Sequence, residues 1–221
     1  NWEEYSDADK EVYTRAAENA IVIGKMIGRS IVSNILIKEL KQDPKLIHAI
    51  GYSLGAHLVG NIGKNSERSI GRITGLDPAN KFFEDHDKRL KKEDADFVDV
   101  IHTHSGDEDD GYFSSPSRIG HADFYPNGGS HQPGCEVSND IVWPEFYYEI
   151  ESDFCNHDRA QRFYTDSIIH KSENNYFLSK RCKHYYGFKH NYCKAEHFEV
   201  LPMGEALDPS DFKTEGNYFL D

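Results

Sequence analysis

The sequence predicts an α/β protein with a mostly parallel sheet and crossover helices. Short apolar runs alternate with helical stretches along the chain, and the order strand, helix, strand is the one that parallel sheets with crossovers produce. The chain has 221 residues, of which 38% are hydrophobic, and this is enough for one substantial core. We therefore expect one domain over residues 1–221.

The first predicted element is a long amphipathic helix from Ala8 to Leu40. Apolar or small residues recur along it every three or four positions, which is the spacing of one helical face. Gly24 and Gly28 lie near this face and would let the helix pack closely on a sheet. The pair Asp43-Pro44 then stops the helix.

Strands and further helices follow in alternation. Nothing before Leu46 has the pattern of a strand, although parallel strands normally have neighbours on both sides. Either the first strand lies near a sheet edge, or the chain is the later part of a domain. The predicted strands are Leu46 to Tyr52, Gly71 to Leu76, Phe97 to Thr103 and Ala122 to Tyr125, and the predicted helices are Leu54 to Lys64 and Asp158 to His170.

The charge of the chain argues against several classes of partner. Lys and Arg total 25 against 38 Asp and Glu, which gives a net charge of −13. The basic surface that nucleic-acid binding needs is therefore not expected, and anionic membranes should be repelled too. No run of about 18 apolar residues is present, so we expect no transmembrane segment. No leader sequence opens the chain, although one could have been removed.

The four cysteines form two pairs that are local in sequence. Their even number indicates two short disulfide-closed loops in an oxidising compartment, and hence secretion. The alternative is four reduced core thiols in a cytosolic protein. None of the spacings is a C-x-x-C metal or redox motif, which weakens that alternative. The cysteines are Cys135, Cys155, Cys182 and Cys193.

The stretch GYSLG, residues 51–55, lies between a predicted strand and a predicted helix. A G-x-S-x-G turn in this setting is typical of a nucleophile elbow, in which a strained backbone aims the serine hydroxyl away from the sheet. This pattern makes Ser53 a candidate nucleophile and the amide of Leu54 a candidate oxyanion donor at the helix N-terminus. The alternative is a serine that only caps the helix.

A nucleophilic serine needs a histidine that takes its proton and an acid that orients the histidine. In α/β-hydrolases both partners follow the serine in the chain, the acid first. Asp77 directly follows the next predicted strand. The alternative is that Asp77 caps a helix begun by Pro78.

The base is harder to assign because the chain has 12 histidines. His157 is favoured among them, because a disulfide from the neighbouring Cys155 would hold its loop in place. Other histidines at strand ends are His102, His104 and His121.

Six segments together resemble the pancreatic lipase family. The likeness runs from Trp2 to Leu220, nearly the whole chain, and we expect the similarity to be strongest with the shorter single-domain arthropod members, including phospholipase A1-like ones. The segments are GYSLGAH (51–57), GRITGLDPA (71–79), FVDVIHT (97–103), GHADFYPNGG (120–129), QPGC (132–135) and CNHDRA (155–160).

The resemblance implies an α/β-hydrolase fold and a catalytic triad of Ser53 as nucleophile, Asp77 as acid and His157 as base. It also implies the disulfides Cys135–Cys155 and Cys182–Cys193. The expected activity is that of a secreted serine esterase acting on glycerolipids at a lipid interface, as a triacylglycerol lipase or a phospholipase A1, without a cofactor. The second oxyanion donor of the family belongs to an HG-aromatic loop before the position of Trp2, as do early strands of the sheet. The resemblance therefore implies that residues 1–221 are roughly the C-terminal two-thirds of the catalytic domain, and we expect the complete protein to be the functional one. The β-sandwich domain that binds colipase is also expected to be absent.

Residues 84–94 resemble the calcium loop of the family but depart from it at one position. Lys91 stands where the family usually has an acid, while Asp94 and the carbonyl of Arg89 remain as candidate ligands. A cation in place of a carboxylate argues against a site for a hard metal ion. We therefore expect no bound calcium.

The 19 residues between Cys135 and Cys155 are the candidate lid. One hypothesis is a cover that opens at a lipid surface and adds its aromatic face to the substrate groove, and the other is a loop packed on the core. Its length is intermediate for the family, so it does not distinguish a triglyceride substrate from a phospholipid substrate. Its aromatic residues include Trp143, Phe146, Tyr147 and Tyr148.

The alternative function is that of a lipid-binding or storage protein without catalysis, as in the insect yolk proteins that share this fold. Such proteins typically lack the nucleophile, whereas Ser53, Asp77 and His157 are all present here. A serine-directed covalent label distinguishes the two hypotheses.

Overall fold

A seven-stranded sheet with helices on both faces forms the centre of the computed structural model, which describes residues 7–83, 87–136, 145–193 and 199–221. Side chains are described from residue 10 in the first of these ranges and from residue 152 in the third. The strands are β1 (His48–Tyr52), β2 (Arg72–Leu76), β3 (Phe97–Ile101), β4 (Ala122–Pro126), β5 (Leu178–Arg181), β6 (Val200–Pro202) and β7 (Gly216–Leu220). The helices are α1 (Asp7–Met26), which continues as a π-helix (Ile27–Glu39), α2 (Leu54–Asn65), α3 (Glu145–Glu173) and α4 (Tyr185–Lys189).

The sheet is mostly parallel, which confirms the predicted α/β class and agrees with an α/β-hydrolase fold. Its strand order is β1-β2-β3-β4-β7-β5-β6, with β5 antiparallel to both of its neighbours. The register pairs Tyr52 with Leu76 and Leu76 with Ile101. The carboxyl ends of β1, β2 and β3 therefore lie side by side, and the residues that follow them meet at one edge.

The first strand lies at an edge of the described sheet, which is expected under both of the sequence-based alternatives. Ile50 in its middle is 44% exposed, whereas β2 and β3 are buried throughout. The four C-terminal elements β5, α4, β6 and β7 were not predicted. They are three to five residues long, and their sequences show no clear hydrophobic period.

The long N-terminal helix packs on α2, which corrects the expectation that Gly24 and Gly28 face a sheet. A Cβ atom at Gly24 would lie 2.4 Å from the carbonyl oxygen of Leu58, and one at Gly28 would lie 2.5 Å from that of Ile62. The two glycines therefore allow the backbones of the two helices to approach closely.

By length and composition alone, Lys10–Glu39 could also cross a membrane, which the lack of an uninterrupted apolar run of about 18 residues did not suggest. Among the described residues it is the one helix with these properties. Its apolar stretch is 28% buried and packs on α2 through the two glycines.

Two hydrophobic clusters cover the two faces of the sheet. One packs α3 on the sheet and includes Ala160, Phe124 and Tyr218. The other packs α2 on the opposite face and includes Val59 and Ile73. Because both faces are covered, functional side chains are left to the ends of the strands.

Candidate functional site

Ser53 lies on a strained turn between β1 and α2. Its φ and ψ angles are 53° and −122°, and its side chain forms no capping hydrogen bond to the helix, so the serine does not act as a helix cap. A Cβ atom at Gly51 would lie 2.1 Å from the carbonyl oxygen of Gly55. The close approach of strand and helix therefore requires glycine at position 51. A Cβ at Gly55 would meet nothing within 4 Å.

Asp77 follows β2 at the same edge of the sheet. No helix begins at Pro78 in this described segment, so the alternative role as a helix cap is wrong. The buried carboxylate accepts a hydrogen bond from the amide of Thr103 at 2.8 Å and from that of His104 at 3.2 Å. These two donors come from the segment after β3 and set the orientation of the carboxylate.

His157 contacts Asp77 directly. Its Nδ1 lies 2.6 Å from the Oδ2 atom of Asp77, and the imidazole is buried. The residue lies within α3, which begins at Glu145 and not at Asp158 as predicted, so it belongs to a helix and not to a loop. The disulfide Cys135–Cys155, with a Cα–Cα distance of 5.5 Å, ties this helix to the segment after β4.

The contact between the serine segment and His157 is made by Tyr52. The ring centroids of Tyr52 and His157 are 4.6 Å apart, and the hydroxyl of Tyr52 donates a hydrogen bond of 2.7 Å to Asp158. Burial and this bond raise the pKa of Tyr52. We did not identify this pair from the sequence, where the available signal was a tyrosine directly before the serine and an acid directly after the histidine.

The other candidate histidines have structural partners. His102 lies 2.9 Å from Asp123 through its Nε2 atom, and His104 lies 3.2 Å from Asp153. His121 accepts a hydrogen bond from a backbone amide of β3. These contacts connect neighbouring elements of the fold, and His157 is the histidine that meets Asp77.

Leu54, the candidate oxyanion donor, is the first residue of α2. Amides in the first turn of a helix have no partner within that helix, so the N–H of Leu54 points outward from the N-terminal end of α2. Its role stays a prediction.

The lid also stays a prediction. Trp143 lies outside the described residues. Phe146, Tyr147 and Tyr148 lie in the first turns of α3, where the structure describes the backbone alone. The C-terminal part of the candidate lid is therefore helical.

The segment that resembles a calcium loop holds an ammonium group. Lys64 of α2 donates hydrogen bonds to the carbonyl oxygens of Asp87 at 3.0 Å and Arg89 at 2.6 Å, and lies 3.8 Å from Oδ2 of Asp94. The same Oδ2 accepts a bond from the amide of Lys91. With the lysine among these oxygens, the described residues do not fit a divalent cation. Burial lowers the pKa of Lys64 and raises that of Asp94 to about 6.

The second predicted disulfide, Cys182–Cys193, is also present, with a Cα–Cα distance of 5.3 Å. It closes a loop that contains α4. A separate cavity of about 650 Å³ lies at the amino ends of the parallel strands, the end opposite to Ser53. His48 and His121 are among its lining residues.

Comparison with known proteins finds similarity to lipases over nearly the whole chain. The family model described as Lipase matches residues 2–221. Rabbit (Oryctolagus cuniculus) pancreatic triacylglycerol lipase is 36% identical over 220 residues, which cover 96% of this chain and 46% of that protein. Human (Homo sapiens) pancreatic lipase-related protein 3 is 39% identical over 226 residues, with coverage of 94% and 46%. Rat (Rattus norvegicus) pancreatic lipase-related protein 2 is 39% identical over 210 residues, with coverage of 91% and 44%. The chain thus spans less than half the length of these relatives.

Proposed function

Because this chain belongs to the lipase family, we propose that its protein is a secreted serine esterase that hydrolyses carboxylic esters of glycerolipids. The observation that carries the proposal is the 2.6 Å contact between His157 and Asp77. It lies at the same edge of the sheet as the strained turn of Ser53. This is the arrangement that a serine nucleophile needs for activation.

In the proposed reaction the Ser53 oxygen attacks the ester carbonyl carbon while Nε2 of His157 takes the hydroxyl proton. Asp77 holds the Nδ1 proton and stabilises the imidazolium, and the Leu54 amide donates to the oxyanion. The imidazolium then gives its proton to the leaving alcohol as the acyl-enzyme forms. Water, deprotonated by His157, attacks the acyl-enzyme and releases the fatty acid with Ser53 restored.

The substrate is proposed at the level of the glycerolipid class. Relatives are named triacylglycerol lipases, and the choice between triacylglycerol and phospholipid depends on the lid. Secretion is proposed because two disulfides occur in a domain of this size.

A fluorophosphonate label on the complete protein tests the proposal. We expect one adduct on Ser53 by mass spectrometry, and none in Ser53→Ala. Asp77→Asn should keep its fold by circular dichroism and lose about 10⁴-fold in kcat on a short-chain ester, because the histidine loses its orientation. A folded protein that binds lipid but takes no label at Ser53 would instead be a lipid-binding or storage protein.

A further inference from the structure

Residues 174–195 differ in charge from the rest of the chain. This stretch contains five Lys or Arg residues, two histidines and six aromatic residues, and no Asp or Glu, in a chain whose net charge is −13. The repulsion of anionic surfaces that the overall charge predicts is therefore not uniform over the molecule.

The centre of the stretch is the loop 182–193, which we call the basic aromatic loop. The disulfide Cys182–Cys193 closes it. Tyr186 and Tyr192 are 67% and 69% exposed, and each contacts the ring of His190, at centroid distances of 4.0 and 5.8 Å. A disulfide and a short helix thus hold large aromatic rings in solvent.

Cations lie beside these rings. Lys183 and Lys189 are exposed, and the ammonium of Lys189 is 5.8 Å from the centre of the Tyr185 ring. Lys189 also lies 2.9 Å from Asp221. Rings and cations are therefore presented together on one loop.

The basic aromatic loop lies at the same end of the sheet as the proposed triad. The Tyr185 hydroxyl donates to Asp221, which directly follows β7. The Tyr185 ring lies so close to Gly128, in the turn after β4, that a Cβ there would come within 2.7 Å of it. Both β4 and β7 are parallel to β1 and β2, which precede Ser53 and Asp77. A surface that contacts this loop is thus brought to the end of the molecule where the proposed reaction occurs.

We propose that the basic aromatic loop docks the protein on a lipid surface that carries anionic headgroups. Tyrosine prefers the boundary between headgroups and acyl chains, where its ring is apolar and its hydroxyl is hydrated. Each Lys near an anionic membrane strengthens binding about fivefold. A sulfated polysaccharide would be attracted by the cations alone, so the exposed tyrosines favour a lipid partner. The use of this docking in turnover rests on the proposed function, but the binding itself does not.

Sedimentation of the complete protein with vesicles tests the proposal. We expect binding to phosphatidylcholine vesicles with about 30% phosphatidylserine, weakening with salt as charge screening requires, and at least tenfold weaker binding without phosphatidylserine. Lys183→Ser/Lys189→Ser should bind about 25-fold more weakly. Its matched control, Arg15→Ser/Lys25→Ser, removes two exposed cations from α1 and should bind like the wild type. Equal losses in both variants would overturn the proposal.

The aromatic contribution is tested by Tyr186→Ser/Tyr192→Ser, for which we expect at least tenfold weaker vesicle binding. Its control, Val12→Ser/Met26→Ser, removes two apolar side chains of α1 that are 66% and 62% exposed and should have no effect. Thermal unfolding establishes that all four variants are folded. A tyrosine variant that binds vesicles like the wild type, while heparin binding depends on the lysines, would overturn the proposal and identify a polysaccharide site.

These outcomes are separate from those of the labelling test. Vesicle binding that requires the loop, in a protein that takes no label at Ser53, supports the docking surface while the proposed function fails. If Ser53 is labelled but the loop variants bind vesicles like the wild type, the docking surface is overturned and the proposed function is not.

Discussion

At the residue scale, the neighbours of the proposed nucleophile and base are joined to each other. Tyr52 precedes Ser53 and donates a hydrogen bond of 2.7 Å to Asp158, which follows His157. The two partners are 106 positions apart in the chain. This bond connects β1 to α3 and so helps to set the distance between the hydroxyl of Ser53 and the imidazole of His157.

Tyr52→Phe keeps the ring and removes the bond. We expect kcat on a soluble short-chain ester to fall about tenfold with little change in KM, because the base loses part of its positioning. The free energy of unfolding should fall by about 1 kcal/mol, since the bond is only half-buried.

The matched control for this prediction is Tyr164→Phe. This change removes the 2.6 Å hydrogen bond from the Tyr164 hydroxyl to Glu205. Tyr164 lies on α3, the helix that also contains Asp158, but away from the proposed triad. The control should lose similar stability and keep its kcat. Equal losses of kcat in both variants would mean that Tyr52 has a structural role only.

At the element scale, Lys64 connects α2 to the segment 87–94. Its ammonium binds two backbone carbonyls and faces the carboxylate of Asp94, which is 1% exposed and whose Oδ1 atom has no partner in the described structure. A buried carboxylate that loses its nearest cation is costly. The side chain therefore supplies the positive charge that holds this segment on α2.

Lys64→Met should lower the free energy of unfolding by about 2 kcal/mol, measured by urea denaturation. Calcium or a chelator should leave the melting temperature of the wild type unchanged, because the lysine already occupies the oxygens. In the control Lys38→Met, which breaks an ion pair that is 54% exposed on both sides, the change should stay within about 0.5 kcal/mol. A wild type stabilised by calcium would contradict this prediction.

At the scale of the whole molecule, we expect stability against acid to depend on a histidine outside the proposed triad. His57 is buried, with Nε2 2.7 Å from the carbonyl oxygen of Ala79 and Nδ1 accepting a bond from the amide of Leu90. If His57 took up a second ring proton, its Nδ1–H would point at the N–H of Leu90, and the hydrogen bond from that amide would be lost. Burial, together with the charges of Lys64 and Arg89, lowers the pKa of His57 to about 3, although the hydrogen bond to Ala79 acts in the opposite direction.

The sign of the effect follows from this lowered pKa. Between about pH 6.5 and 3 the unfolded chain binds the proton and the folded protein does not, so the free energy of unfolding falls as the pH falls. We expect this group to contribute up to about 1.4 kcal/mol per pH unit.

His57→Gln should be less stable at pH 7 but lose stability less steeply between pH 6.5 and 4. Urea unfolding at several pH values measures both slopes. Asp94, whose raised pKa of about 6 acts in the opposite direction, is present in both proteins and cancels in the comparison. Identical slopes would show that His57 does not govern the acid response.

How far the sequence predicts the molecule depends on the range of each interaction. The elements up to β4 could be predicted because each has a hydrophobic period or a turn residue of its own. The start of α3 at Glu145 could not, because the aromatic residues of the candidate lid suit a loop and a helix equally. The element that packs on Gly24 could not be predicted either, because a small residue indicates close packing but does not identify the element that packs on it.

By itself the sequence determined the α/β class, the turn that carries Ser53, and the family resemblance from which Asp77 and His157 are assigned. These depend on local order in the chain, such as strand before helix and glycine at fixed spacing. Only the tertiary structure decided that Asp77 meets His157, that Tyr52 reaches Asp158 and that Lys64 faces the 87–94 segment. Those contacts join residues far apart in sequence, and their distances depend on sheet register and helix packing, which no local pattern records.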